Sequence, residues 1–193
     1  TMQRLEEEGK ILGYGMSEIA PYTLERAHAV HPVMAVQNEY SLWTRQPELG
    51  LIQLCGRLGV AFVPFSPLAR GVFGTPMADP ATFAKDEFRT RIPRFHPDNW
   101  PQNRARLEAF HAFALAQGVT PAALALAWCL DRGPHIIPIP GTRSADHLRA
   151  WLAAPEIDLN DHDRAEIDYL LPIGWAWGDR YDDMQAGLSE RYS

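Results

Sequence analysis

Lysine is almost missing from this sequence: among 193 residues only Lys10 and Lys85 carry it, and Lys plus Arg number 18 against 24 Asp plus Glu. The formal charge of -6 argues against a general nucleic-acid surface, which needs clustered cations to neutralise phosphates. Any phosphate ligand has to be small and held locally. Cysteine is equally scarce. Cys55 and Cys129 lack metal-ligand neighbours, so reduced, partly buried thiols are expected rather than a disulfide framework. The histidines form no HxxxH pair, and no metal site is expected. No apolar run reaches the roughly 18 residues that a spanning helix needs, and no basic-then-apolar leader is seen. Neither a membrane nor a nucleic-acid partner is therefore expected, and a cytoplasmic location is. What is present, 46% hydrophobic and 22% charged residues, suits one sizeable core, hence a single domain over residues 1–193.

Strand-like and helix-like runs alternate along the chain. Residues 10–16 (KILGYGM) form a short apolar run ending at Ser17, and Pro21 then stands where a helix can begin without losing a hydrogen bond. Residues 33–37 (VMAVQ) are a second run, followed by a helix over 47–59 whose Leu49, Ile52, Leu54, Cys55 and Leu58 share a face and which Gly59 ends. Residues 60–65 (VAFVPF) are a third. Residues 136–139 are the fourth, preceded by a helix, PAALALAWCL, that Thr120 caps and Pro121 opens. Such continuously apolar strands predict cover on both faces, as in parallel sheets, and parallel strands need crossover helices. The expectation is an α/β fold of repeated βα units.

In such folds the loops at the carboxyl ends of the strands converge on one opening. Those ends read Ser17 and Glu18, then Gln37, Asn38 and Glu39, then Phe65 and Ser66, then 141–144 (GTRS). Ser17 and Gln37 suit a ring bearing a carboxamide and Phe65 suits stacking on it; the plainer alternative is that these polar groups satisfy strand-end backbone. The GTRS turn enters a helix, where unpaired N–H groups and a partial positive charge favour an anion. The plainer alternative is that Thr142 or Ser144 caps the helix and Arg143 is solvated.

Six segments taken in order resemble the aldo-keto reductase family: EEEGKILGYGMSE, HPVMAVQNEYSLW, VAFVPFSPLARGVF, RIPRF, GVTPAALALAW and IIPIPGTRS. They cover the chain to about residue 150. The resemblance implies a (β/α)8 TIM-type barrel, of which this chain holds only the carboxyl-terminal half, strands five to eight, with the barrel portion over 1–170 and a tail over 171–193. It further implies hydride transfer between NADPH and an aldehyde or ketone. The lone GYG of residues 13–15 is then no Rossmann fingerprint, since the third glycine of GxGxxG is missing. By position, Ser17 and Gln37 would hydrogen-bond the nicotinamide carboxamide and Phe65, where many members have Tyr, would stack on its ring. Ser66, Leu68 and Arg70 would line the pyrophosphate path. Gly141, Thr142 and Arg143 would hold the 2′-phosphate of NADP, with His147 beside it. Two departures stand out: Ala150 and Trp151 replace the family's adenine-contacting Glu and Asn, and Glu18 stands where several members have Asn. Trp151 either stacks on adenine or packs in a rearranged core.

The family's Asp, Tyr, Lys and His tetrad lies on strands that precede this portion. Neither lysine falls at a strand end beside a tyrosine, Tyr14 lies inside a strand and Tyr40 reads as a packing or substrate-loop residue, so no catalytic residue is assigned. In the aromatic tail, Trp175, Trp177 and Tyr181 are candidates for substrate contact or for ordinary packing. Residues 71–101 are too long for a neutral connector and predict a loop over the mouth. Three readings follow: an NADP-dependent reductase acting on a small carbonyl substrate and represented here by a fragment, a catalytically silent half-barrel that binds nucleotide, or an assembly module that self-associates through exposed barrel edges.

Overall fold

The computed structural model describes residues 1–187, 189 and 190; Leu188 and residues 191–193, part of the expected tail, lie outside the described residues. Helix α1 (Met2–Glu7) leads into strand β1 (Gly15–Ser17), then α2 (Pro21–Val30), β2 (Ala35–Glu39), α3 (Leu51–Leu58) and β3 (Ala61–Phe65). The strands form a parallel sheet in the order β1-β2-β3, with Ser17 level with Gln37 and Gln37 with Val63. The expected fourth run continues this sheet through bridges alone: Phe62 N donates to His135 O at 2.8 Å, Ile137 N to Phe62 O at 2.8 Å and Ile139 N to Pro64 O at 3.0 Å. Pro64 has no N–H to donate towards Ile137 O, which breaks the ladder between the two bridges.

Three expectations need correction. The first strand is not residues 10–16 but 15–17: Leu12 is 92% exposed, and only at Tyr14, whose carbonyl accepts from Met34 N at 2.9 Å, does pairing begin. The helix expected over 47–59 starts at Leu51, because Gly50 adopts a left-handed φ of 115°; Leu49 is therefore outside it and exposed. Cover on both sheet faces is also not found. Val36, Asn38, Phe62 and Ile136 point into the helix layer and are buried, whereas Ser17, Gln37, Ile137 and Ile139 on the other face are exposed.

Helix α5 (Pro121–Leu130) is the hub of the helix layer, with Pro121 to Cys129 all buried and Thr120 Oγ1 accepting from Ala123 N at 3.1 Å. Helix α4 (Trp100–Ala116) buries Trp100, Asn103, Leu107, Phe110 and Ala114, a stripe at helical spacing that the sequence reading passed over. Asn103 interrupts its apolarity, and Phe113 and Leu115 off the stripe blur it. Helices α6 (Ala145–Trp151) and α7 (Asp161–Leu170) follow, α7 opened by a reciprocal Asn160/Asp163 capping box, and α8 (Asp183–Ala186) lies in the tail. Cys55 and Cys129 are free and fully buried, and burial pushes the Cys55 thiol up to about 12. Among the described residues no single helix is long and apolar enough to cross a membrane and no metal-binding cluster occurs.

Candidate functional site

Backbone conformation marks the strand ends. Glu18, directly after β1, has φ 54°, and Ser66, directly after β3, has φ 50°. Ala69 and Arg70 follow at 49° and 62°, and Gly71 at 98°. Left-handed conformations cost non-glycine residues of order 1 to 3 kcal/mol each, and such strain gathers where side chains must be aimed. The turn after β3 thereby faces the loop after the fourth run across a cleft of about 950 Å3. Ser66, Leu68, Arg70, Gly141, Thr142, Arg143 and His147 all line it, together with Ala150 and Trp151. These are seven of the ten cofactor candidates. Ser17, Gln37 and Phe65 do not line the cleft and sit on the neighbouring open face of the sheet, where the Ser17 hydroxyl donates to Gln37 O at 2.9 Å.

At the GTRS turn Ser144 caps the helix. Ser144 Oγ accepts from His147 N at 3.3 Å and Thr142 Oγ1 accepts from Ser144 N at 3.0 Å, so both hydroxyls are engaged. Arg143 is exposed at the cleft. Asp146 in the first turn pairs with Arg149 at 2.7 Å. Trp151 is buried in the core, its second alternative, while still forming part of the cleft wall.

The tail crosses the sheet's carboxyl end. Trp175 is buried, stacks on Trp43 at 6.0 Å and donates from Nε1 to Leu42 O at 2.6 Å. Trp177 is exposed, its backbone clasped on both sides by the Asn103 amide. Tyr181 reaches the strand ends, where Arg70 Nη2 donates to its hydroxyl at 3.3 Å. Glu190 caps α2, accepting from Ala20 N at 2.8 Å and Thr23 Oγ1 at 2.7 Å.

Around Tyr181 lies a charge cluster that the sequence reading did not assemble. Glu39, 4% exposed, accepts from Arg70 Nη2 at 2.9 Å and Thr44 Oγ1 at 3.2 Å and pairs with Arg180 at 3.5 Å. Arg180 also pairs with Glu18, whose Oε1 accepts from Glu39 N at 2.8 Å. Burial would lower the Arg180 pKa, but the hydrogen bond to Glu18 and the charges of Glu18 and Glu39 leave it raised. Burial raises the Tyr181 phenol. Arg94, from the RIPRF segment, donates to Trp43 O at 2.6 Å, Thr44 Oγ1 at 2.8 Å and Gly178 O at 3.2 Å, and burial pushes it down to about 10. Nothing in sequence links residue 180 to residue 18; a left-handed Glu18 and a buried Glu39 become visible only in three dimensions.

No acid suited to a carbonyl oxygen emerges from the two tyrosines considered above. Tyr40 is fully buried and donates to Glu48 Oε1 at 2.9 Å, and Tyr14 donates to His31 O at 2.8 Å. Lys10 pairs with Glu8 at 2.6 Å on the surface.

Parallel strands joined by helices, one face helix-covered and one open, with strained loops gathered at the carboxyl ends, fit part of a TIM-barrel type of architecture. The chain belongs to the aldo-keto reductase family: the model of the Aldo/keto reductase family matches residues 1–172. It is 41% identical over 192 residues to "Probable aldo-keto reductase 1" of Glycine max, covering 100% of this chain and 55% of that protein. A thermostable aldo-keto reductase solved with the inhibitor epalrestat superposes with a TM-score of 0.64 at 26% identity, over 88% of this chain and 52% of that one. The glycerol dehydrogenase of Gluconobacter oxydans shares the fold, with a TM-score of 0.78 at 24% identity, over 94% and 54%. The chain thus spans about half the length of these relatives.

Proposed function

We propose that this chain is the carboxyl-terminal, cofactor-holding half of a (β/α)8 reductase that transfers hydride between NADPH and an aldehyde or ketone. The observation that carries the reading is the single cleft shared by the turn after β3 and the GTRS loop, beside a sheet face bearing Ser17, Gln37 and Phe65. Its volume suits a small-molecule site, which typically measures about 300 to 1,000 Å3. The residues fit an extended dinucleotide: Ser17 and Gln37 offer a hydroxyl and an amide to the carboxamide, Phe65 a ring face, Ser66, Leu68 and Arg70 a path for the pyrophosphate, and Gly141, Thr142, Arg143 and His147 a place for the 2′-phosphate. The bound nicotinamide supplies the hydride. The chain's own residues orient its ring, neutralise its phosphates and, through the tail with Tyr181 and the aromatic Trp175 and Trp177, bound the substrate space. We assign no catalytic residue here and propose that the proton donor for the carbonyl oxygen comes from strands completing the barrel.

Arg143→Ala tests the assignment. Losing a charge-assisted contact costs about 1.5 to 3 kcal/mol, hence NADP binding weakens about tenfold or more while NAD binding is spared. Equal losses for both nucleotides in a calorimetric titration would remove the 2′-phosphate role.

A second reading, self-association through exposed barrel edges, is favoured by the exposure of Ile137 and Ile139 on the last run of the sheet. Sedimentation of the 193-residue chain as a monomer over a wide concentration range would count against it. Two free buried thiols suit a reducing compartment, and we place the protein in the cytoplasm.

A further inference from the structure

Arg70 is held in an unusual way. Its guanidinium lies over three rings, Phe88 at 5.2 Å, Tyr181 at 5.8 Å and Phe65 at 5.9 Å, and its Nη2 serves both Glu39 and Tyr181. Its Nε is buried and finds no acceptor among the described residues. Its backbone sits second in a run of three left-handed residues, Ala69, Arg70 and Gly71, with its carbonyl accepting from Arg89 Nη1 at 3.0 Å. A guanidinium carries five donors in a planar fork made for two acceptor oxygens at once, and here the fork is used at one corner. Glu39 meanwhile has Arg180 and Thr44 as further partners, so it is not stranded if Arg70 leaves. The alternating row Glu18, Arg180, Glu39, Arg70 therefore ends, on the cleft side, in its least satisfied member.

We propose that Arg70 is a gate between the phosphate cleft and the tail. In the structure Arg70 rests on Glu39 and lies 5.9 Å over the Phe65 ring, on which a nicotinamide would stack. A diphosphate group in the cleft offers the bidentate acceptor that Glu39 does not, so Arg70 turns towards it. That movement clears Phe65 and removes Arg70 from the Tyr181 hydroxyl, leaving Arg180 as the charged tie between residue 181's neighbourhood and the strand ends, with Glu190 still holding Ala20 N and Glu18 O farther along the tail. Cofactor entry and release of the substrate mouth are coupled in this way, each favouring the other because coupling between two sites is reciprocal. The inference rests on the reading of the cleft as a nucleotide site.

The test uses the intact protein with inorganic pyrophosphate and adenosine 2′,5′-bisphosphate as probes, neither of which carries a nicotinamide. Glu39→Gln removes the internal competitor and should tighten pyrophosphate about tenfold or more. Tyr181→Phe changes no charge and should tighten it about two- to fivefold, which a general electrostatic effect of Glu39→Gln would not reproduce. Saturating pyrophosphate should also speed amide exchange in residues 178–187 severalfold in the wild type and not in Arg70→Ala. Unchanged affinity in Tyr181→Phe, or tail exchange that ignores the ligand, overturns the gate while leaving the nucleotide site standing. Absence of pyrophosphate and bisphosphate binding in wild type and variants alike overturns the nucleotide site and the gate with it.

Discussion

Arg45 clasps Glu48 through two parallel hydrogen bonds, Nε to Oε1 at 2.7 Å and Nη2 to Oε2 at 2.9 Å, with the arginine side chain only 5% exposed. The same guanidinium donates from Nη1 to Asp168 at 2.8 Å and to Leu171 O at 3.2 Å and lies 5.0 Å over the Trp128 ring. It ties the loop after β2 to α7 and to the hub helix α5. Removing one member of a buried pair leaves an uncompensated charge, at a cost of about 3 to 5 kcal/mol. Glu48→Ala should therefore lower the urea midpoint steeply, the more so because the Tyr40 hydroxyl loses its acceptor. A loss well under about 1 kcal/mol would mean that Asp168 alone suffices for Arg45.

Gly178 is where the tail enters the mouth. Its φ is 88°, and a Cβ there would meet Asn99 Nδ2 at 2.7 Å and Pro93 O at 2.9 Å. Since backbone cannot retreat as a flexible side chain can, Gly178→Ala should cost about 1 to 3 kcal/mol, concentrated in the tail. Arg94, which holds the Gly178 carbonyl, loses that acceptor. The expected result is faster proteolysis within residues 174–187 with the far-ultraviolet spectrum unchanged; a tail as protected as the wild type's would contradict it.

His111 faces Val72 O at 2.8 Å, and burial lowers its pKa from the ordinary 6.5. A folded-state value below the unfolded one means that the unfolded chain binds the proton more readily. The contribution is intact above about pH 6.5 and is lost as pH falls from there through the folded value. His111→Gln, neutral at every pH, should flatten this slope between pH 7.5 and 5.5 when denaturant midpoints are compared. Parallel slopes for the two proteins would assign the pH dependence to other groups.

Phe65 is half-buried on the open face, so its removal can be separated from core damage. Phe65→Ala should weaken NADP while adenosine 2′,5′-bisphosphate binds no more weakly than before. Equal weakening of both would mark Phe65 as a packing residue, whose truncation when fully buried costs about 3 to 5 kcal/mol of stability.

Much of this was legible along the chain because it is local. Pro21 and Pro121 open their helices, Thr120 caps α5, Gly59 with φ 66° ends α3, and the third strand ends at Phe65 as the sequence suggests. Proline, glycine and hydroxyl positions act through the backbone of their own neighbourhood, so no partner has to be known. The family segments likewise name most of the residues that line the cleft. Length of pairing is different. Whether Leu12 joins a strand depends on what lies beside it, and nothing lies beside it before Tyr14. Cover on the second sheet face depends on elements that do not fold onto it within these residues, so apolarity alone overstated burial there. The largest share left to tertiary structure is electrostatic. Glu18, Glu39, Arg70, Arg180 and Tyr181 are scattered over more than 160 positions and become one cluster only because parallel strands bring their carboxyl ends to one side and the tail returns across them. Sequence set which groups exist and which turns they follow; the fold decided which charges share a low-dielectric space.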